Sequence, residues 1–255
     1  MSTFLRFISL FVLLLGSSWA LAAESIRFDF CYEDRELLPY YRGNGSEIPE
    51  ENPGKTIEAV RKLDERVDEV NIHYQRAPWK RCLALLEKGV VSGVIASYKA
   101  QREEIGVYPK KNNRDDLKRA FSLTGYCLFV RQDSNLSWNG KAFIGDLRSN
   151  LAVPRGYSIT SMLTQHKISF DEVDSTDQAL FLLHNQRVSG VVTLCDSGQQ
   201  ALSNNPQYAE INTIAPPLVV KGGYLLVSKH FYQAHQKIVE KMWLKLVQVR
   251  IDMNL

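Results

Sequence analysis

The sequence predicts an α/β fold made of two similar lobes, and two observations predict it. Strand and helix patterns alternate along most of the chain, which argues for largely parallel strands linked by helices. One helix-turn-strand segment also occurs twice. Residues 85–98 read LLEKGVVSGVIASY and residues 182–195 read LLHNQRVSGVVTLC, identical at six of fourteen positions. Either each copy belongs to its own small sheet, or two buried units have converged on Leu and Val. On the first reading, Ser97 to Arg102 and Cys195 to Gly198 occupy equivalent places just after a strand. Ligands of open α/β sheets bind outside the carboxyl ends of strands.

The elements follow in order. SIRFDFCY (25–32) alternates as a strand does. Ile57, Val60, Leu63 and Val67 fall at helical spacing over 56–67. VNIHY (70–74) is again strand-like. Pro78 opens a helix carrying Leu83, Leu85 and Leu86, with Gly89 at its end. VVSGVIA (90–96) is a buried strand, and Pro109 to Asp116 is a polar loop. GYCLFV (125–130) is a strand, and LAVPRG (151–156) is a strand running into a glycine turn. Ser175 and Gln178 have capping-box spacing at the start of a helix, TDQALFLLHN. RVSGVVTL (187–194) and YLLVS (224–228) are strands. The last helix, from about 231 to 251, carries Ile238, Met242, Leu246 and Val249 on one face.

Arg6 precedes the apolar run FISLFVLLLG and then the small residues SSWALAAES. A charged start, a short apolar core and an A-x-A step form a secretory signal peptide over residues 1–22, cut after Ala22. The run is short for a membrane span, although an uncleaved anchor is the alternative. No cysteine follows the cut at once, which argues against a lipid anchor. The mature protein is expected to be soluble and exported. Hydrophobic content of 45% and charged content of 23% fit a globular chain rather than a disordered one. A net charge of +3, with basic residues scattered among acidic ones, gives no reason to expect nucleic acid.

Export permits disulfides between Cys31, Cys82, Cys127 and Cys195. Four thiols allow three full pairings. Cys31 with Cys82 is favoured because both fall near strand ends in the first half; free buried thiols are the alternative. The cysteine spacings do not resemble a zinc site. His73, His166, His184, His230 and His235 show no paired metal-binding spacing. There is no G-x-S-x-G turn and no phosphate-binding glycine loop. Neither a metal nor a cofactor is expected.

The exported start, the helix ending LLEKG, the strand VVSGVIAS and the spaced Arg in YKAQREE resemble the type II periplasmic solute-binding proteins of family 3. These are the polar amino-acid receptors of ABC importers. Ser92 replaces the family's aspartate, and Lys99, Ala100, Gln101 and Arg102 replace its Thr-Pro-Glu-Arg segment. LAVPRGYSITSML is similar to the family's V-A-V-x-x-G-T, QRVSGVV to its G-R-V-D-A-V-V, and YLLVSK to the strand that returns to the first lobe. The resemblance spans nearly all of the mature chain. It implies a two-lobe periplasmic-binding-protein-like fold of type II, with lobe 1 at 23–128 plus 221–255 and lobe 2 at 129–220. Two crossing strands would join the lobes, and closure on a ligand would be a hinge motion.

The resemblance further implies a monomeric, non-enzymatic periplasmic protein. It would capture an amino acid or organic acid for an inner-membrane ABC permease or a sensor. Two other readings stand beside it. One is a periplasmic enzyme similar to cyclohexadienyl dehydratase, with Glu33 its acid-base candidate. The other is a degenerate member acting through protein contacts.

In the family the residue matching Arg102 pairs with the ligand's carboxylate. A planar guanidinium fork matches two carboxylate oxygens and keeps its charge. The alternative is a solvated Arg102 paired with Glu103 or Glu104. Ser97 ends the strand before it. Gly156, Tyr157 and Ser158 stand where a second-lobe helix begins, so their backbone N–H groups would give the carboxylate a second holder. A turn glycine and an N-cap are the plainer reading. Tyr157 replaces a small residue and would narrow the cleft or stack on the ligand. Tyr32, Tyr40 and Trp79 follow strand ends and would wall the apolar part of a ligand, Trp79 with the best claim; packing within the lobe is the alternative. The family places an aspartate right after the second-lobe strand to hold an ammonium group. Here that place is Leu194 and Asp196 comes two residues later, so Asp196, Glu33 or Asp34 would have to serve. An ammonium group without a carboxylate in a closed cleft would be costly. Amino acid and plain carboxylate therefore both stay open.

Overall fold

The computed structural model describes residues 25–145, 147 and 149–255. The signal peptide expected at residues 1–22 lies outside them. The first half runs β1 (Ile26–Glu33), α1 (Lys55–Asp64), β2 (Val70–Ala77), α2 (Trp79–Glu87) and β3 (Gly93–Ser97). A 3-10 turn at Ala100–Glu104 leads to the short strands β4 (Gly106–Val107), β5 (Lys110–Lys111) and β6 (Arg114–Asp115). β7 (Ser122–Arg131) crosses to the second half. There follow β8 (Ser137–Trp138), β9 (Phe143–Ile144), β10 (Leu151–Pro154), α3 (Thr160–Gln165), β11 (Phe170–Val173), α4 (Thr176–His184), β12 (Gly190–Leu194) and α5 (Cys195–Asn204). β13 (Ile211–Ser228) crosses back, and α6 (Lys229–Asp252) packs on the first half.

Nine of these strands form one sheet, in the order β11-β10-β12-β7-β13-β3-β1-β2 with β4 paired to β13, and β5–β6 and β8–β9 are separate two-stranded sheets. Within each half the strands are parallel: β1 pairs with β2 and β3, and β10 with β11 and β12. The two crossing strands pair antiparallel with each other and with the inner strand of each half. The boundaries expected near residues 128 and 220 fall inside β7 and β13.

The repeated segment is also a structural repeat. α2 spans 79–87 and β3 spans 93–97; α4 spans 176–184 and β12 spans 190–194, so one offset of 97 residues relates all four bounds. The reason lies in shared burial. Each helix lays Leu side chains on a strand whose own residues are buried on both faces, as parallel central strands require. Ser175 caps α4 by accepting a hydrogen bond from the Gln178 N–H at 3.1 Å.

β13 is far longer than the five residues its pattern suggests. Pro216 and Pro217 lack the N–H that a ladder needs, and the register with β7 shifts between Ile214 and Val219. The irregularity falls where the strands pass from one lobe to the other. The expected polar loop at 109–116 contains the small β5–β6 hairpin. α5 begins directly after β12, where no helix is read from the sequence.

Buried aromatics fix the lobes. On one face of the first lobe Phe28, Phe30, Ile57, Leu63 and Trp243 pack together, and the Trp243 indole donates to the Leu225 carbonyl at 2.8 Å. On the other face Leu86, Val94, Tyr108 and Tyr224 surround a Cys31–Cys82 disulfide. In the second lobe Phe129, Leu180 and Val191 form the core. Each fully buried side chain of this size contributes about 1.5–3 kcal/mol. A second disulfide, Cys127–Cys195, ties β7 to the start of α5. No helix among the described residues is long and apolar enough to cross a membrane.

Candidate functional site

The space between the lobes holds a narrow cavity of about 80 Å³. Lobe 1 contributes Glu33 from the end of β1, Trp79 from the start of α2, Ser97 from the end of β3, and Arg102 from the turn after it. Lobe 2 contributes Tyr157 and Leu194, and the crossing strand β7 contributes Thr124 and Tyr126. Tyr40, Tyr41 and Phe121 complete an aromatic wall. The lining thus has the make-up of a small-molecule pocket, apolar with a few convergent polar groups.

Arg102 is 5% exposed. Its Nη1 donates to the Ser97 carbonyl at 2.7 Å, and its Nη2 donates across the cleft to the Gly156 carbonyl at 2.9 Å. Its guanidinium lies over the Trp79 ring at 5.4 Å, a cation–π arrangement. Among the described residues no carboxylate pairs with it. Glu103, the nearest acidic residue in sequence, pairs with Lys110 instead. A guanidinium buried among neutral acceptors retains most of its need for an anion.

Glu33 sits at the other polar point of the cavity. Burial pushes its carboxyl up to about 7, and the neighbouring Asp34 adds to the rise. The Tyr157 hydroxyl donates to Glu33 Oε2 at 3.3 Å from the opposite lobe and opposes it. Tyr157 is buried and faces Tyr126 edge-on at 6.3 Å. Of the two roles expected for Tyr157, its place is the narrowing one.

Other expected residues lie elsewhere. Tyr32 belongs to the core behind the cavity: it stacks near Phe30 and Tyr41, with Arg76 over its ring at 5.0 Å. β1 alternates its side chains, so the two neighbours Tyr32 and Glu33 face opposite ways. The Gly156 N–H donates to Glu172 Oε1 at 2.8 Å, so it is not free to hold a carboxylate. Gly156 matters through its conformation. Its φ of 79° favours glycine, and a methyl there would meet Trp79 and Lys80 at 3.2 Å. The Ser158 hydroxyl donates to the Tyr126 hydroxyl at 3.2 Å, and Ser158 does not line the cavity. Asp196 stands at the cleft mouth in the first turn of α5, accepting from the Tyr40 hydroxyl of lobe 1 at 2.8 Å.

Sequence reasoning missed Lys221 altogether. Its Nζ, on the crossing strand β13, donates to the Ser158 carbonyl at 3.0 Å. The signal was present as the one charged residue within the apolar run LVVKGGYLLV. Tyr126 was hidden within a strand pattern that says nothing of which face opens on the cleft.

No protein-family model matches the sequence, and no curated protein matches it. Solved structures do match. A histidine kinase sensor domain with similarity to periplasmic binding proteins superposes with a TM-score of 0.69 at 13% identity, over 91% of this chain and 92% of its own. The substrate binding protein of an amino acid ABC transporter superposes with a TM-score of 0.66 at 13% identity, over 89% and 94%. The chain has the two-lobed periplasmic-binding-protein fold. The GluR0 ligand-binding core from Nostoc punctiforme, in complex with L-glutamate, matches that same fold with a TM-score of 0.61 at 15% identity, over 88% and 93%. Identities this low carry the periplasmic-binding-protein architecture and no particular ligand.

Proposed function

We propose that this protein is a periplasmic solute receptor, without catalytic activity of its own, that closes its two lobes on a small carboxylated solute. The observation that carries the proposal is Arg102, buried in the interlobe cavity without a carboxylate partner among the described residues. A ligand carboxylate in place of the two carbonyls would add a charged acceptor to the charged donor, giving paired ionic hydrogen bonds in a fork-to-fork geometry, and a hydrogen bond to a charged group contributes about 1.5–3 kcal/mol. A few such bonds support micromolar binding, about 8 kcal/mol net. Trp79, Tyr40 and Tyr157 would hold the rest of the solute. Glu33 and Asp196 are the carboxylates available to an ammonium group, so an amino acid and an organic acid are both candidates. The monomer would pass the solute to an inner-membrane ABC permease or report it to a sensor.

A thermal-shift screen of amino and organic acids tests this directly. A carboxylate should raise the melting temperature without being consumed, and the shift should vanish in Arg102→Ala. No response to any small carboxylate would overturn the proposal.

One observation favours a second reading. Glu33 is poised near neutrality in an apolar cavity, which suits a general acid or base of a dehydratase-like enzyme. Formation of product from a stabilising acid, lost in Glu33→Gln, would establish that reading in place of the first.

A further inference from the structure

Three cations converge on one stretch of lobe 2, and each ends on a neutral oxygen. Arg102 donates to the Gly156 carbonyl, Lys221 to the Ser158 carbonyl and Lys99 to the Thr160 hydroxyl, at 2.9, 3.0 and 3.2 Å. They come from two segments: the turn after β3 with the residue that caps it, and the crossing strand β13. Their mutual repulsion is visible in their chemistry. Burial, then Arg102 and Lys99, hold the Lys221 ammonium down to about 8, and burial, then Arg102, lower Lys99. The groups facing Lys99 also include Lys80 and Glu172. Glu172 is already committed, to Lys80 at 2.7 Å and to the Gly156 N–H. Among the described residues, three positive charges thus meet without a carboxylate of their own. Of the three, Arg102 lines the interlobe cavity, whereas Lys99 lines a separate groove with Thr160 and Glu172, so a second anionic group meets the lysines beyond Arg102. Three like charges held together by carbonyl and hydroxyl oxygens are poorly compensated, and one anionic group relieves only part of that excess.

We infer that the cleft is built for a dianionic ligand, one anionic group on Arg102 and a second on Lys221 and Lys99. This rests on the solute-receptor proposal and narrows its substrate class. The second group displaces Lys221 and Lys99 from the Ser158 carbonyl and the Thr160 hydroxyl. It also draws Lys221 back toward full protonation. Binding near pH 8 therefore takes up protons, because a fraction of Lys221 is neutral before the anion arrives and charged afterwards. A dicarboxylate supplies the two groups separately, and a phosphate ester supplies both charges on one group whose oxygens divide between Arg102 and the lysines.

Titration calorimetry on the mature protein separates the cases, with acetate, L-alanine, succinate, glutarate, L-glutamate and glycerol phosphate as probes. Succinate, glutarate, L-glutamate with its two carboxylates, and glycerol phosphate offer two negative charges and count as dianions. They should bind roughly tenfold or more tighter than the monoanions acetate and L-alanine, which offer one carboxylate. That ratio should fall toward one in Lys221→Met and in Lys99→Met. At pH 8, the apparent enthalpy of the best dianion should depend on the buffer's ionisation enthalpy in the wild-type protein and lose that dependence in Lys221→Met. A preference for succinate, glutarate or L-glutamate over glycerol phosphate assigns the dicarboxylates, and the reverse assigns a phosphate ester. Equal affinity for monoanions and dianions, or a ratio unchanged in both lysine variants, overturns this inference alone. Absence of binding by every probe overturns the solute-receptor proposal and this inference with it.

Discussion

Burying Glu33 behind Tyr157 leaves a carboxyl that keeps its proton to about pH 7, against 4.5 for the free group. The consequence for stability has a definite sign. Between those two values the folded protein binds more protons than the unfolded chain, so stability falls as pH rises through the window. The fall amounts to about 3 kcal/mol at most, and it levels off above pH 7. Urea denaturation across this range should show that decline in the wild-type protein and a flatter profile in Glu33→Gln. An identical decline in the variant would show that Glu33 is not its source. Arg102 behaves differently, because its part is to present a planar fork of donors to two carboxylate oxygens. It has to be matched by geometry, which is why Arg102→Ala should remove the ligand's thermal shift rather than move its pH dependence.

At the scale of elements, the repeat was the most informative part of the sequence. A single offset carries α2 and β3 onto α4 and β12 because both units solve one packing problem, a helix covering a strand buried on both faces. Two elements with no clear periodic pattern of their own were illegible. The first half of β13 hid behind Pro216 and Pro217, which no local rule places inside a strand. α5 hid because its close approach to β7 requires Gly198, a residue that argues against a helix when read alone. A methyl group at Gly198 would overlap the Phe129 ring, which is fully buried. Gly198→Ala should therefore destabilise the second lobe by about 1–3 kcal/mol. Differential scanning calorimetry would measure it, and an unchanged melting temperature would mean that α5 sits away from β7.

Across the whole molecule, the lobes touch through contacts that any ligand must share or break. Tyr40 reaches Asp196, Tyr157 reaches Glu33, Lys80 reaches Glu172, and Arg102 reaches Gly156. The Tyr40 hydroxyl is the simplest to remove without disturbing either lobe's core. Tyr40→Phe should enlarge the radius of gyration of the ligand-free protein in small-angle scattering, and a bound carboxylate should reverse the change. An unaltered radius would show that this contact does not hold the lobes together. The two-lobe plan was legible because resemblance and repeat both pointed to it. The cleft was legible only in part. Chain position brought Glu33, Trp79, Ser97, Arg102 and Tyr157 to one cavity, whereas the direction in which a side chain leaves its strand decided Tyr32 and Lys221, and spacing alone does not supply that direction.

The most direct test of the central claim is a structure determined from crystals grown with the carboxylate that stabilises the protein most. The account predicts carboxylate oxygens at about 2.7–2.9 Å from the Arg102 guanidinium, with the Gly156 carbonyl contact broken. A carboxylate bound elsewhere, with Arg102 still on the Ser97 and Gly156 carbonyls, would contradict it.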